Sequence, residues 1–266
     1  MNRLQDHVAA VTGAGRGMGE AIARRLAADG ASVVVSDIDL KGAERVAGEI
    51  RAHGGAACAI RVDVSNEADA HRLTQTALET YGRLDILVNN AGIGLNKLFL
   101  DTTPQDMERL FRVNLLGAFM CAQAAVRAML PRGHGRIINI ASLSGQRGGI
   151  GRSAYGTAKA GLELLTKVMS VELASKGITV NNVAPGAIAT QISVEMHDQA
   201  TRDAYHYLIP QRRYGTAEEV ASAVAYLASP EALHICGHTL NVDGGFQSAG
   251  LMYAREGVDV PPTPKV

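Results

Sequence analysis

Short runs of β-branched residues alternate with longer Ala- and Leu-rich stretches along almost the whole chain, and this alternation constrains the fold most. The short runs are nearly continuous in apolar residues, which is typical of strands buried on both faces of a parallel sheet. We predict strands at 7–12, 32–37, 56–63, 84–90, 135–142, 178–185 and 238–245. We predict helices near 17–29, 40–53, 66–81, 104–130, 154–175 and 216–228.

Parallel strands that alternate with helices are joined by right-handed crossovers, which place the helices on both faces of the sheet. No linker-like break or repeat interrupts the pattern, so we predict one α/β domain over residues 1–250. Its expected form is a Rossmann-type doubly wound parallel sheet with strand order 3-2-1-4-5-6-7. Residues 190–215 contain two weak helical pieces and are expected to form a flap over a binding site. Residues 251–266 are a C-terminal extension with a Pro-rich tip that we expect to be mobile.

Composition excludes several classes of partner. The 266 residues are 47% hydrophobic, which is enough for one large core, and 26 basic residues balance 26 acidic ones. A nucleic acid or an anionic membrane would favour a basic excess, so neither is expected. The three cysteines are widely spaced without a CxxC, which fits the cytoplasm, and no zinc spacing is present, so no metal site is predicted. The chain start lacks a signal-peptide pattern, and no segment approaches about 18 consecutive apolar residues.

A glycine-rich loop, TGAGRGMGEAIA, lies where the first predicted strand turns into the first predicted helix. Glycines without Cβ atoms let such a turn close tightly, and they let a pyrophosphate approach the backbone amides and the positive end of the helix. A glycine-rich loop can also be a mere turn, but the order strand, loop, helix is the one that dinucleotide binding requires. The candidate residues in this loop are Gly13, Gly15, Arg16, Gly17, Met18 and Gly19.

An acidic residue, Asp37, follows Gly19 by eighteen positions and ends the second predicted strand, with Ile38 after it. A carboxylate there can accept hydrogen bonds from both adenosine ribose hydroxyls and would repel a 2′-phosphate, which favours NAD over NADP. Arg16 argues for NADP, because a cation in the loop could hold that phosphate. An ordinary solvated loop acid is the alternative interpretation of Asp37. We predict NAD, with NADP as the alternative.

Tyr155 and Lys159 stand four residues apart in AYGTAKAGLELL, so they share one face of a predicted helix with Cβ atoms about 5–6 Å apart. A phenol has an ordinary pKa near 10, and lowering this pKa to about 7 needs roughly 4 kcal/mol. A unit charge at about 4 Å in an effective dielectric near 20 supplies that amount. Most such pairs are a packed Tyr beside a solvated Lys. Ser142, at the carboxyl end of the fifth predicted strand where active sites of open α/β sheets lie, favours proton exchange instead.

These motifs together resemble those of the classical short-chain dehydrogenases/reductases (SDRs). The motifs are TGAGRGMG at 12–19, NNAG at 89–92, Asn114 in VNLLGAF, Ser142 in INIAS, YGTAK at 155–159 and PGAIAT at 185–190. The resemblance covers roughly residues 4–246. It implies a homotetramer, a dimer of dimers built through the helices near 104–130 and 154–175, and a small-molecule substrate.

The resemblance also implies a division of roles. Tyr155 would exchange a proton with the substrate oxygen as general acid/base. Ser142 would hold that oxygen, and Lys159 would lower the Tyr155 pKa and bind the nicotinamide ribose. Asn114 would support a water that links Lys159 to solvent. The further cofactor contacts implied, in addition to Tyr155, Lys159, the loop and Asp37–Ile38, are Asp63, Val64, Asn90, Ala91, Gly92, Pro185, Gly186, Ile188 and Thr190. The substrate contacts expected are Ser142, Ser144, Gln146, Tyr155, Gly186, Ile192, Met196 and His206.

The predicted activity is an NAD(H)-dependent interconversion of a ketone and a secondary alcohol, namely a polyol, a sugar or a similar hydroxylated compound. The same motifs would serve an NADPH-dependent 3-oxoacyl-thioester reductase, which is the first alternative. A nucleotide-binding regulator without chemistry is the second alternative, although the Ser, Tyr and Lys that such a protein typically loses are all present.

Overall fold

The computed structural model describes residues 3–190, 198–250 and 252. Within these residues one sheet has seven strands in the order β3-β2-β1-β4-β5-β6-β7, and every neighbouring pair is parallel. The strands are β1 (Val8–Thr12), β2 (Ser32–Asp37), β3 (Ala57–Arg61), β4 (Ile86–Asn89), β5 (Gly135–Ile140), β6 (Ile178–Pro185) and β7 (Thr239–Val242). The predicted doubly wound sheet and its strand order are confirmed.

The helices follow the predicted positions with one interruption. They are α1 (Gly17–Ala28), α2 (Leu40–Ala52), α3 (Glu67–Tyr81), α4 (Pro104–Phe111), α5 (Gly117–Met129), α6 (Ser153–Leu173), α7 (Gln199–Leu208) and α8 (Ala217–Ala228). The helix predicted over 104–130 is divided into α4 and α5 by a π-helical turn, Arg112–Leu116. Such turns occur mostly as single bulges within α-helices, frequently at functional sites.

Two apolar cores cover the two faces of the sheet, because successive side chains of a strand point to opposite faces. In β1, Ala9 and Val11 pack with the core that α1, α2 and α8 form on one face. Val8 and Ala10 pack with the core on the opposite face, to which α3, α5 and α6 contribute. β1 is therefore apolar at both odd and even positions, which explains its continuous apolar run in the sequence.

The helical run Pro104–Arg132 is long and apolar enough, by length and composition alone, to cross a membrane. Core helices of soluble proteins meet the same criterion, so this is weak evidence for a span. Here α5 buries Cys121, Ala122, Ala125 and Met129 in the core on the α3 side of the sheet. Packing inside the protein thus accounts for part of its apolar character.

Only part of the predicted flap lies in the described chain. The helix α7 is one of the two helical pieces predicted over 190–215. Residues 191–197 lie outside the described residues, as does the predicted C-terminal extension except for Met252. The flap and the extension therefore stay predictions.

Candidate active site

Two cavities open along the carboxyl ends of the strands and join into one cleft. The first is bordered by the glycine-rich loop and the end of β2, and the second by Ser142, Tyr155 and Lys159. Residues that line both cavities connect them: Met18, Asn90, Gly92, Ile93 and Thr190. The carboxyl edge is where open α/β sheets bind ligands, so the sequence motifs meet at one continuous site.

The glycine-rich loop has the shape that a pyrophosphate needs. Gly13 has a φ of 62°, and a Cβ on it would lie 2.8 Å from the Ala91 Cα. A Cβ on Gly19 would overlap the carbonyl oxygen of Gly13. At Gly17, the first residue of α1, no atom of the described chain lies within 4 Å of an added Cβ, so the approach to the helix is open. Arg16 makes no side-chain hydrogen bond that caps α1, and the first backbone N–H groups remain available to an anion.

Replacing Gly19 with alanine is expected to lower the free energy of unfolding by about 1–3 kcal/mol and to weaken dinucleotide binding, because the added methyl group must displace the loop backbone. Urea unfolding and dinucleotide titration measure the two effects. Gly48→Ala in α2 is the matched control, since the nearest atom to its added Cβ is 3.9 Å away. That control is expected to stabilise the protein by about 0.5–1 kcal/mol, as alanine is the better helix former. A Gly19→Ala protein as stable as wild type would contradict the tight fit.

Asp37 is held firmly at the edge of the first cavity. Its Oδ2 accepts the Gly15 N–H at 2.9 Å, and its Oδ1 accepts the Asp39 N–H at 3.0 Å. Arg16 also lines this cavity but is exposed. The carboxylate is thus fixed by two backbone groups, whereas the guanidinium is on the surface. The residues present fit the adenosine end of a nicotinamide dinucleotide.

The ends of β1 and β4 are tied together through Thr12 and Asn90. The Thr12 Oγ1 accepts the N–H groups of Asn90 and Ala91, each at 3.0 Å. The Asn90 Nδ2 donates to the carbonyl oxygens of Thr12 and Gly13, each at 2.9 Å. These bonds position Asn90, Ala91 and Gly92 along the first cavity, where the cofactor contacts were predicted.

The remaining predicted cofactor residues also border the cleft. Ile38, Asp63 and Val64 line the first cavity, and Asp63 accepts the N–H and O–H of Ser65 at 2.9 and 2.7 Å. Those hydrogen bonds lower the pKa of the Asp63 carboxyl. Residues of the PGAIAT segment line the second cavity: Pro185, Gly186, Ile188 and Thr190. Their contacts with a bound cofactor stay predictions.

Ser142, Tyr155 and Lys159 come together in the second cavity. Ser142 follows β5, its Oγ accepts the Ser144 N–H at 3.2 Å, and its hydroxyl is near enough to the Tyr155 phenol to lower the pKa of that phenol. Tyr155 and Lys159 lie on the first turns of α6. The Lys159 Nζ donates to the carbonyl oxygen of Ile140 at 2.7 Å and lies 5.9 Å from the centre of the Tyr155 ring.

The electrostatics of this group differ from the sequence expectation. Burial raises the pKa of Tyr155, and this effect outweighs the nearby Ser142 hydroxyl and the positive charge of Arg152, which lower it. Burial also lowers the pKa of Lys159 to about 8. The Lys159 charge at helical spacing would by itself bring the Tyr155 pKa towards about 7, but desolvation of both groups, which residue spacing does not report, acts against it. The Lys159 amine, moreover, bonds to the backbone of β5.

Asn114 lies buried in the π-helical turn, and both its amide oxygen and its amide nitrogen bond to the loop after β4. Its Oδ1 accepts the Ile93 N–H, and its Nδ2 donates to the Ile93 carbonyl oxygen, each at 2.9 Å. A Cβ on Gly92 would lie 2.8 Å from the Asn114 Oδ1 and 3.6 Å from the Lys159 Nζ. Asn114 therefore holds the loop that passes Lys159. The predicted link between Lys159 and solvent through Asn114 stays a prediction.

The predicted substrate residues are only partly brought together. Ser144 and Gly186 line the second cavity with Ser142 and Tyr155. Gln146 turns away from it, because its Nε2 donates to Glu163 and to Asn241, each at 3.0 Å.

Of the residues on α7, Tyr205 lines the second cavity instead of the predicted His206. His206 is exposed outside the cavity lining, with its ring edge-on to Tyr214, whereas its neighbour Tyr205 lines the cavity. Ile192 and Met196 lie outside the described residues.

Sequence reasoning missed Arg152, which lines the second cavity beside Tyr155. The Arg152 Cζ lies 5.9 Å from the centre of the Tyr155 ring. Residues three apart in a helix share a face, so the spacing from Arg152 to Tyr155 is a signal that could have found it. For metals, the described residues contain no group of three or more His, Cys, Asp or Glu side chains that could hold an ion.

Comparison with known proteins decides the family. A family model described as enoyl-(acyl carrier protein) reductase matches residues 13–247. A 3-oxoacyl-[acyl-carrier-protein] reductase of Synechocystis sp. is 44% identical over 247 residues, which are 92% of this chain and 98% of that protein. The chain belongs to the short-chain dehydrogenase/reductase family. As an SDR it is an oxidoreductase that acts on CH–OH or ketone groups with NAD(P).

Two further relatives of this SDR illustrate its similarity to dehydrogenases. Glucose 1-dehydrogenase 2 of Bacillus subtilis is 38% identical over 91% of this chain and 95% of that protein. A solved 7α-hydroxysteroid dehydrogenase in complex with NADH and 7-oxo glycochenodeoxycholic acid has a TM-score of 0.89 and 37% identity. That match covers 92% of this chain and 95% of the other.

Proposed function

We propose that this SDR interconverts a ketone and a secondary alcohol, with Tyr155 as the general acid/base. The observation that carries the proposal is that Ser142, Tyr155 and Lys159 line one cavity, which is continuous with the dinucleotide cleft. A bound nicotinamide would supply or accept the hydride. The Ser142 hydroxyl would hold the carbonyl oxygen, and Tyr155 would give it a proton in the reducing direction. Because burial raises the Tyr155 pKa, the phenol is protonated at neutral pH and suited to act as an acid.

A 3-oxoacyl compound is the first candidate substrate class. The first alternative from the sequence is a 3-oxoacyl thioester reduced with NADPH, and the comparisons favour 3-oxoacyl compounds over a polyol or a sugar, because several relatives are 3-oxoacyl-[acyl-carrier-protein] reductases. A Tyr155 that is protonated at neutral pH also suits reduction of a ketone. A polyol or a sugar is the second candidate substrate class, and the similarity to a glucose 1-dehydrogenase favours it.

We propose NAD(H) as the cofactor on the basis of Asp37, although the Arg16 of the same cavity keeps NADP(H) as the alternative. A bound 2′-phosphate would meet a carboxylate that two backbone N–H groups hold in place. A repulsion of about 1.5–3 kcal/mol in such a partly exposed site corresponds to roughly a 10- to 100-fold preference in kcat/KM.

Steady-state kinetics with NADH and NADPH test this choice. Wild type is expected to prefer NADH, and Asp37→Asn is expected to remove most of the preference because the repulsive charge is gone. Asp39→Asn is the matched control, since Asp39 caps α2 through the Lys41 N–H and does not line the cavity. A wild-type preference for NADPH would overturn the NAD proposal and leave the ketone chemistry intact.

The proposed setting is the cytoplasm, with a small-molecule substrate and without nucleic acid or membrane partners. A homotetramer, a dimer of dimers, is proposed on the basis of an apolar stripe on α6. Leu164, Val168 and Val171 follow each other at helical spacing and are 63%, 46% and 83% exposed. An exposed stripe of this kind is typical of a helix that packs against another subunit.

A further inference from the structure

Arg152 brings a positive charge into the reacting cavity. It is the last residue before α6, one helical turn before Tyr155, and its guanidinium carbon lies 5.9 Å from the centre of the Tyr155 ring. Its Nη1 makes one long hydrogen bond of 3.4 Å, to the carbonyl oxygen of Leu95. Its backbone is fixed, because the Lys97 N–H donates to the preceding carbonyl of Gly151 at 3.1 Å. The guanidinium is therefore positioned close to the group that would exchange the proton.

No acidic side chain balances this charge within the described chain. The described residues that line the cavity include no Asp or Glu, and none of the described ion pairs involves Arg152. Its neighbour Lys97, in contrast, is paired with Asp106 at 2.7 Å. The other cation of the cavity, Lys159, is turned to the carbonyl oxygen of Ile140. A half-buried guanidinium without a counter-ion favours binding of an anion, and a carboxylate, the anion that a 3-oxo acid carries, matches its donor geometry.

We propose that Arg152 binds a carboxylate of the substrate, so that this SDR acts on short 3-oxo acids and the matching hydroxy acids as free acids rather than as thioesters. This inference rests on the proposed ketone chemistry. The ketone oxygen would lie at Ser142 and Tyr155, and the carboxylate at Arg152. Arg152 directly precedes α6 and Tyr155 lies on its first turn, so only a few bonds separate the two ends of the substrate. A thioester oxygen is neutral, so it could accept a hydrogen bond from the guanidinium but could not form an ion pair with it.

The test compares 3-oxobutanoate with its methyl ester and with the 3-oxobutanoyl thioester of N-acetylcysteamine, in the presence of saturating NADH. Wild type is expected to reduce the free acid with a kcat/KM about 10- to 100-fold above that of the ester, because only the acid forms the charged pair. Arg152→Gln is expected to lower kcat/KM for the acid, mainly through KM, and to reduce the acid-to-ester ratio of kcat/KM by a similar factor, because any effect of its charge on Tyr155 acts on both substrates alike. Arg152→Lys keeps the charge, and its kcat/KM for the acid is expected to lie between those of wild type and Arg152→Gln.

Arg147→Gln is the matched control, because the Arg147 guanidinium donates to the Phe246 carbonyl oxygen at 2.5 Å and stacks on the Phe246 ring outside the cavity lining. It is expected to keep the wild-type preference. Equal kcat/KM for acid and ester in wild type, or turnover of the thioester alone, would overturn the carboxylate site and leave the ketone chemistry standing. Arg152→Gln lowering acid and ester equally would also overturn it. Failure of every ketone with folded, NADH-binding enzyme would overturn both proposals.

Discussion

Replacing Tyr155 with phenylalanine is expected to lower kcat for ketone reduction by about 10²–10⁴-fold while dinucleotide binding is retained. The substitution removes one oxygen, which lies in the cavity with Ser142 and carries the only proton that this side chain can transfer. The ring stays and keeps filling the wall of the cavity. The rate is measured as loss of NADH absorbance with the substrates above, and binding as the change in NADH fluorescence.

The control for this loss is Tyr226→Phe, which removes a phenolic oxygen on the half-exposed face of α8, outside the cavity lining. It is expected to leave kcat unchanged. Turnover of the Tyr155→Phe protein within tenfold of wild type, with the protein folded and binding NADH, would remove Tyr155 as the proton donor. The regulator alternative makes the opposite prediction: wild type itself would bind NADH without turning over any ketone or alcohol.

The sheet and the cleft could be predicted because they depend on patterns that the local sequence carries. Continuous apolar runs require burial on both faces, and the glycine-rich loop requires a strand before it and a helix after it. Parallel strands then bring every carboxyl end to one edge. Tyr155, Lys159 and Ser142 meet there for that reason, although 17 positions of sequence separate Ser142 from Lys159.

Side-chain direction in irregular segments could not be predicted in the same way. Gln146 follows Ser142 closely, but its amide finds Glu163 on α6 and Asn241 on β7, which are distant in sequence. In the 190–215 segment the helical period is weak, so the sequence does not show which face of the helix meets the cavity. Tertiary packing turns Tyr205 towards the cavity and His206 towards solvent. The pKa of Tyr155 likewise depends on burial, which residue spacing does not report.

Lys159→Met is expected to change how folding stability depends on pH. Burial lowers the Lys159 pKa from 10.5 to about 8 in the folded protein, so the unfolded chain holds the proton more tightly. Below pH 8 the amine is charged in both states, and its burial costs about 3 kcal/mol. Between pH 8 and pH 10.5 the unfolded chain binds more protons than the folded one, so wild-type stability rises with pH until this cost has vanished. Methionine has a similar shape and no such titration.

The free energy of unfolding of wild type relative to Lys159→Met is therefore expected to rise by about 2 kcal/mol between pH 7 and pH 9.5. Urea unfolding at the two pH values measures this difference. The hydrogen bond from Lys159 to Ile140 contributes to the difference in unfolding free energy at both pH values. The change in this difference between pH 7 and pH 9.5, rather than its size at one pH, therefore reports the buried amine. Lys176→Met removes an exposed amine and should show no such change. A difference that stays constant with pH would mean that water reaches the Lys159 amine and that burial does not lower its pKa.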